Sequence, residues 1–193
     1  MTLQRDARQP LRIVVMGVSG CGKTTLARAL AARLGLDMVD GDDLHLPESI
    51  RKMSSGIALD DADRWPWLDR IGEYLAASPD DAPRGRVVAC SALKRAYRDR
   101  IRELARCVVF VFLHGEPETI RQRMAGRVGH YMRPGLLESQ LQTLQIPLPQ
   151  ETDVVHLSID QPVPELVART LQALALEAPT LSTTSCTTSC TTS

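Results

Sequence analysis

The chain has 193 residues, 44% of them hydrophobic and 24% charged, proportions of a globular protein with one core. Its 23 basic and 23 acidic residues cancel, which excludes a global field that would draw it to nucleic acid or an anionic membrane. No apolar run approaches the roughly 20 residues needed to cross a bilayer, and Met1 to Asp6 carries an acid before any apolar stretch, so no secretory signal is read and a cytoplasmic location is expected.

Residues 1–10 read as a flexible leader and 11–178 as a single domain. Arg12–Met16 is a β-branched run ending at Gly17, the pattern of a buried parallel strand. From Thr24, the spacing of Leu26, Ala27, Leu30, Ala31 and Leu34 predicts a helix that stops at Gly35, and Met38-Val39 a second strand. Residues 43–64 are polar and turn-rich, and a helix is expected from Trp65-Pro66 with Leu68, Ile71 and Leu75 inward. After a loop over 79–85 come a strand at Arg86–Cys90, a basic helix at Ala96–Ala105 and the most apolar strand, Cys107–Leu113. A helix over Glu116–Arg127, a loop over 129–135, a helix at Leu136–Leu144, a strand at Val154–Ile159 and a helix at Val163–Leu176 complete the order. Strands alternating with helices predict an α/β fold with five parallel strands covered on both faces. Residues 179–193, mostly Thr, Ser and Cys, offer almost nothing to bury and are expected to be disordered.

Cys21, Cys90 and Cys107 are scattered, Cys186 and Cys190 repeat within the tail, and no CxxC pair occurs, so free thiols are expected and a zinc site is not. The basic residues comprise 20 Arg and only three Lys: Lys23, Lys52 and Lys94. Where generic positive positions are filled by Arg, the remaining Lys should mark sites that need a compact ammonium on a flexible stem.

Gly17-Val18-Ser19-Gly20-Cys21-Gly22-Lys23-Thr24 fits GxxxxGK[ST] between a predicted strand and a predicted helix, the context that this phosphate-binding loop requires. Its backbone N–H groups, from Gly17, Ser19, Gly20, Cys21 and Gly22 into Thr25, would wrap phosphates at a helix N-terminus. Lys23 would reach the β- and γ-phosphates of ATP and the Thr24 hydroxyl would ligate Mg2+. The dinucleotide pattern GxGxxG fails on its third glycine. A guanine switch needs [NT]KxD, yet the chain has no Asn and no Lys follows a Thr. No apolar strand ends in the acidic pair of a motor ATPase, which leaves a small-molecule kinase as the economical reading.

Asp40-Gly41-Asp42 follows the second strand and would stand at the carboxyl edge of the sheet, where open α/β folds bind ligands. Asp42 is the candidate general base, with Asp40 supporting the metal. Arg123 and Arg127, four residues apart on a predicted helix, face one way and are candidates for a mobile lid that stabilises the transferring phosphoryl group.

The loop, Asp40–His45, Lys52-Met53-Ser54-Ser55-Gly56, Asp61–Leu68 and Cys90–Asp99 together resemble the gluconokinase family of P-loop carbohydrate kinases, over about Ile13 to Leu176. Two further stretches match, His130-Tyr131-Met132 and Leu136-Leu137-Glu138-Ser139-Gln140. The resemblance implies ATP-dependent phosphorylation of D-gluconate at its 6-hydroxyl, a small-molecule sugar-acid partner and a homodimer. It also places His45, Lys52, Met53, Gly56, Asp61, Arg64, Lys94 and His130 around the acceptor. The residues suit a polyhydroxy acid, whose carboxylate calls for Lys52, Arg64 or Lys94 and whose hydroxyls call for Asp or His45. Trp65 and Trp67 read equally as core or as substrate platforms. The chain departs from the family at Cys21, Ser49, Ala58 and Gln145-Ile146, where Ser, Asn, Pro and Glu-Pro are usual. The alternatives are a kinase of another small acceptor, shikimate-like or a nucleoside monophosphate, and a nucleotide-binding regulator without turnover.

Overall fold

A computed structural model describes residues 10–77, 85–125 and 136–175. Its elements run β1 (Leu11–Met16), α1 (Lys23–Leu34), β2 (Asp37–Asp40), a 3-10 turn (Gly41–Leu44), α2 (Pro47–Ser54), α3 (Asp61–Ala76), β3 (Gly85–Ala89) and α4 (Arg95–Leu104). They continue with β4 (Val108–His114), α5 (Pro117–Ala125), α6 (Leu136–Thr143), β5 (Val154–Ser158) and α7 (Val163–Ala173). All neighbouring strands are parallel, in the order β2-β3-β1-β4-β5, so the expected five-stranded α/β fold is present. No described helix is long and apolar enough to cross a membrane.

The central strands β1, β3 and β4 are largely apolar on both faces because both are covered. Ile13 and Val15 of β1 join Val87, Val111, Leu26, Leu30 and Leu166 in one core layer. Val14 and Met16, pointing the other way, join Val88, Phe110, Leu68, Ile71 and Ile101 in the second. Each such side chain contributes roughly 1.5–3 kcal/mol by leaving water. With β1 central, its carboxyl end and those of β2 and β3 bring Gly17, Asp40 and Cys90 to one edge.

Two expectations are corrected. Residues 43–64 are not simply turn-rich: they hold α2, eight residues long with Pro47 at its first turn. The next helix begins at Asp61 rather than Trp65. Asp60 accepts from the Asp63 N–H while the Asp63 carboxylate accepts from the Asp60 N–H, a capping box that outweighs Pro66 inside the helix. Both signals sat in the sequence as an acidic cluster.

Candidate active site

β1 ends at Gly17, and the chain turns through Gly20 (φ +84°) and Gly22 (φ +97°) into α1. A Cβ on Gly20 would stand 2.4 Å from Met124 Cγ, so the loop is pressed against α5. Gly22 caps α1 without a side-chain hydrogen bond, and the first turn carries no acid. The N–H groups of that turn and the positive end of the helix thus remain for an anion. Lys23 Nζ donates to the Val18 carbonyl at 3.0 Å, folding along the loop.

The Thr24 hydroxyl donates to Asp40 Oδ2 at 2.8 Å, joining α1 to the end of β2. Asp40 Oδ1 accepts from the Asp42 N–H at 3.2 Å and starts the 3-10 turn. Gly41 is pressed onto β3, where a Cβ would come 2.8 Å from Cys90 Cβ, and its carbonyl accepts from the buried Trp67 indole N–H at 2.6 Å. Asp42 reaches the surface, yet surrounding protein restricts its hydration. That desolvation, then Asp40, raise its pKa, while Lys23 opposes them and Asp43 adds to the rise. Burial also pushes the Cys90 thiol up to about 12 and keeps it protonated.

Beyond Asp42, His45 stacks on Trp67 with ring centroids 4.5 Å apart. Burial, then the positive Arg64, lower its pKa to about 4, so it is a neutral imidazole at physiological pH. Among the described residues, His45 Nδ1 and Arg64 Nε here, and Arg86 Nε on β3, are buried with no hydrogen-bond partner. Such atoms are costly to leave unpaired, which marks this wall as one that a polar ligand would complete. Arg64 also donates to the Leu59 carbonyl at 3.2 Å and stands 5.7 Å from the Tyr97 ring centroid. Lys94 donates to both oxygens of Asp61 at 2.7 and 2.8 Å, and the Tyr97 hydroxyl adds a third bond to Asp61 at 2.5 Å. Lys52 pairs with Asp63 and, at 3.6 Å, with Asp60.

The structure therefore brings Lys23, Thr24, Asp40, Asp42, His45, Asp61, Arg64 and Lys94 toward the carboxyl ends of the strands. Lys52 and Lys94, expected as cations for an acceptor carboxylate, each hold an internal carboxylate. Met53 and Gly56 are exposed at the end of α2. Thr25 is exposed in the first turn of α1, and Arg123 donates to the Ile159 carbonyl at 2.7 Å beyond β5. Arg127 and His130 lie outside the described residues, as do the expected leader up to residue 9, most of the 79–85 loop and the tail. Two side chains carry contacts that no pattern announced. Tyr97 lies within Cys90–Asp99, and Gln140 Oε1 accepts from the Ser19 N–H at 2.6 Å.

Fold and loop together define a P-loop kinase-type domain, and a family model described as an AAA domain matches residues 13–146. The chain is 41% identical over 161 residues to the thermosensitive gluconokinase of Escherichia coli K12, covering 83% of this chain and 86% of that one. It is 45% identical over 139 residues to the gluconokinase of Gluconobacter oxydans 621H, covering 72% and 78%. A crystal structure of a gluconokinase from Sinorhizobium meliloti 1021 superposes with a TM-score of 0.76 at 50% identity, over 87% of this chain and 93% of that one. A shikimate kinase from Aquifex aeolicus, at 16% identity and a TM-score of 0.53, shares the fold. The chain belongs to the gluconokinase family.

Proposed function

We propose that this chain transfers the γ-phosphoryl group of ATP to the 6-hydroxyl of D-gluconate, giving 6-phospho-D-gluconate. The observation that carries the reading is the position of Asp42. It lies in a turn joined to the phosphate loop through Asp40 and Thr24 and to the polar wall through Trp67 and His45. The acceptor hydroxyl would lie between Asp42 and the loop. Asp42 takes its proton as the oxygen attacks, and Lys23 with the α1 N-terminus holds the phosphate charge. The Thr24 hydroxyl and Asp40 carboxylate, 2.8 Å apart, are hard oxygen donors of the kind that suit Mg2+. Bound there, the ion would neutralise charge developing on the phosphate oxygens.

The unpaired Arg64 Nε and His45 Nδ1 supply one donor for a carboxylate and one site for a hydroxyl. The Asp61–Lys94 pair offers an acceptor and a donor side by side for neighbouring hydroxyls. Arg123, with Arg127, is assigned to the nucleotide, and His130, Met53, Gly56 and Lys52 to the rim of the acceptor site. The protein is proposed to act as a cytoplasmic homodimer.

ADP release by the purified protein with MgATP tests this against gluconate, shikimate, other sugar acids and nucleoside monophosphates in parallel. Stimulation by gluconate alone is the expected result. No stimulation by any acceptor, in protein that still binds ATP, would overturn it in favour of a regulator.

A further inference from the structure

Val18 and Ser19 share one peptide group, and both of its polar ends are engaged. Its carbonyl accepts from Lys23 Nζ at 3.0 Å, and its N–H donates to Gln140 Oε1 at 2.6 Å. No described peptide bond is cis, so the C=O and N–H point in opposite directions. The two partners therefore grip the plane from opposite sides. Rotating the plane would turn its N–H toward an ammonium, which has no acceptor to offer.

Within the loop one bond helps to fix that plane: its carbonyl also accepts from the Cys21 N–H at 3.4 Å. Gly17 at φ +140° and Gly20 at φ +84° flank it, and glycine restrains its neighbours least. The restraint on its N–H end comes from 121 residues away, on α6. Leu137 is buried, Leu141 packs against the same core layer, and Glu138 accepts from Arg121 of α5 at 3.0 Å. Gln140 is thus presented by an anchored helix. Its orientation follows from chemistry: a backbone N–H only donates, so the amide oxygen must face it.

We propose that Gln140 is a positioning residue for Lys23, fixing the Val18–Ser19 peptide so that its carbonyl holds the ammonium along the phosphate loop. The side chain is assigned no contact of its own with nucleotide or acceptor. It acts through a single peptide plane, and it rests on the assignment of Lys23 to the nucleotide phosphates.

The test is a double-mutant cycle on MgATP affinity, measured by calorimetry on the full chain with Gln140→Leu, Lys23→Ala and the pair. Gln140→Leu keeps the side-chain bulk and removes the acceptor. About tenfold weaker MgATP binding is expected, the size of one lost hydrogen bond, with the Michaelis constant for gluconate unchanged within about twofold. In the Lys23→Ala background the same change should cost nothing further, because the group it positions is gone. A structural role for Gln140 would instead give losses that multiply, and that outcome overturns the proposal while leaving Lys23 in place. Wild-type affinity in Gln140→Leu overturns it as well. Unweakened binding by Lys23→Ala would remove the assignment beneath it. Should Gln140→Leu not fold, Gln140→Asn, too short by one methylene to reach Ser19, carries the same expectations.

Discussion

Among the side chains of the site, Asp42 is asked to do the most chemistry. As general base it must lie within hydrogen-bond reach of the acceptor hydroxyl, and proton transfer by a positioned group is worth about 10²–10⁴-fold. Asp42→Asn keeps the shape and the turn but cannot take a proton. We expect kcat to fall by about that range while the Michaelis constant for ATP moves within a few fold, as steady-state kinetics would show. A nearly undiminished kcat would reduce Asp42 to a turn residue. The scarcity of lysine singled out three ammonium groups, of which Lys23 and Lys94 stand among the gathered residues and Lys52 pairs with the cap of α3. Of the three, Lys23 is the one that bonds a neutral carbonyl rather than a carboxylate, so no ion pair has to break for it to meet a phosphate.

The elements show what could be read ahead and what could not. Strands β1, β3 and β4 are built on the apolar runs Ile13–Met16, Val87–Ala89 and Val108–Leu113, and their boundaries fall within two residues of expectation. Helix α2 escaped because eight residues opening on Pro-Glu-Ser display too few turns for a 3.6 period to stand out. The start of α3 escaped because Asp60, Asp61 and Asp63 look like a solvated acidic cluster, whereas Asp60 and Asp63 cap the helix reciprocally and Asp61 gathers Lys94 and Tyr97. Pairings across 33 to 121 residues, such as Asp61 with Lys94 or Ser19 with Gln140, leave no periodic trace in one sequence. Capping gives a prediction at this scale. Asp60→Ala removes the acceptor for the Asp63 N–H and should cost about 1 kcal/mol. That corresponds to a melting temperature lowered by about 2–4 °C for a chain of this size. A thermal melt with no shift would mean that the first turn of α3 holds without its cap.

Across the whole molecule, one buried ion pair ties the acceptor wall to the far end of the sheet. Arg98, fully buried on α4, makes two bonds to Glu151 at 2.8 and 2.7 Å and three to the carbonyls of Ala92, Leu93 and Gln145. The turn at Ala92 (φ +41°), which delivers Lys94, is thereby fastened to the loop leading into β5. Gln145 closes the same joint, its side chain accepting from the Arg95 N–H at 2.7 Å and its own N–H donating to Leu93 O. The hydrogen bonds from Arg98 first, opposed by burial and reinforced by Arg102, depress the Glu151 carboxyl to about 2. A carboxyl depressed on folding stabilises the protein above its unfolded pKa of roughly 4.3 and loses that contribution as pH falls through the folded value. The urea midpoint should therefore decline between about pH 5 and pH 2, and Glu151→Gln, neutral throughout, should flatten that part of the curve. Removing the partner outright, as in Glu151→Ala, leaves a buried guanidinium without its carboxylate and should cost about 3–5 kcal/mol. If the Glu151→Gln chain loses stability on acidification as steeply as the parent, the acid sensitivity resides in other carboxylates and the pair is not what holds the acceptor wall at low pH.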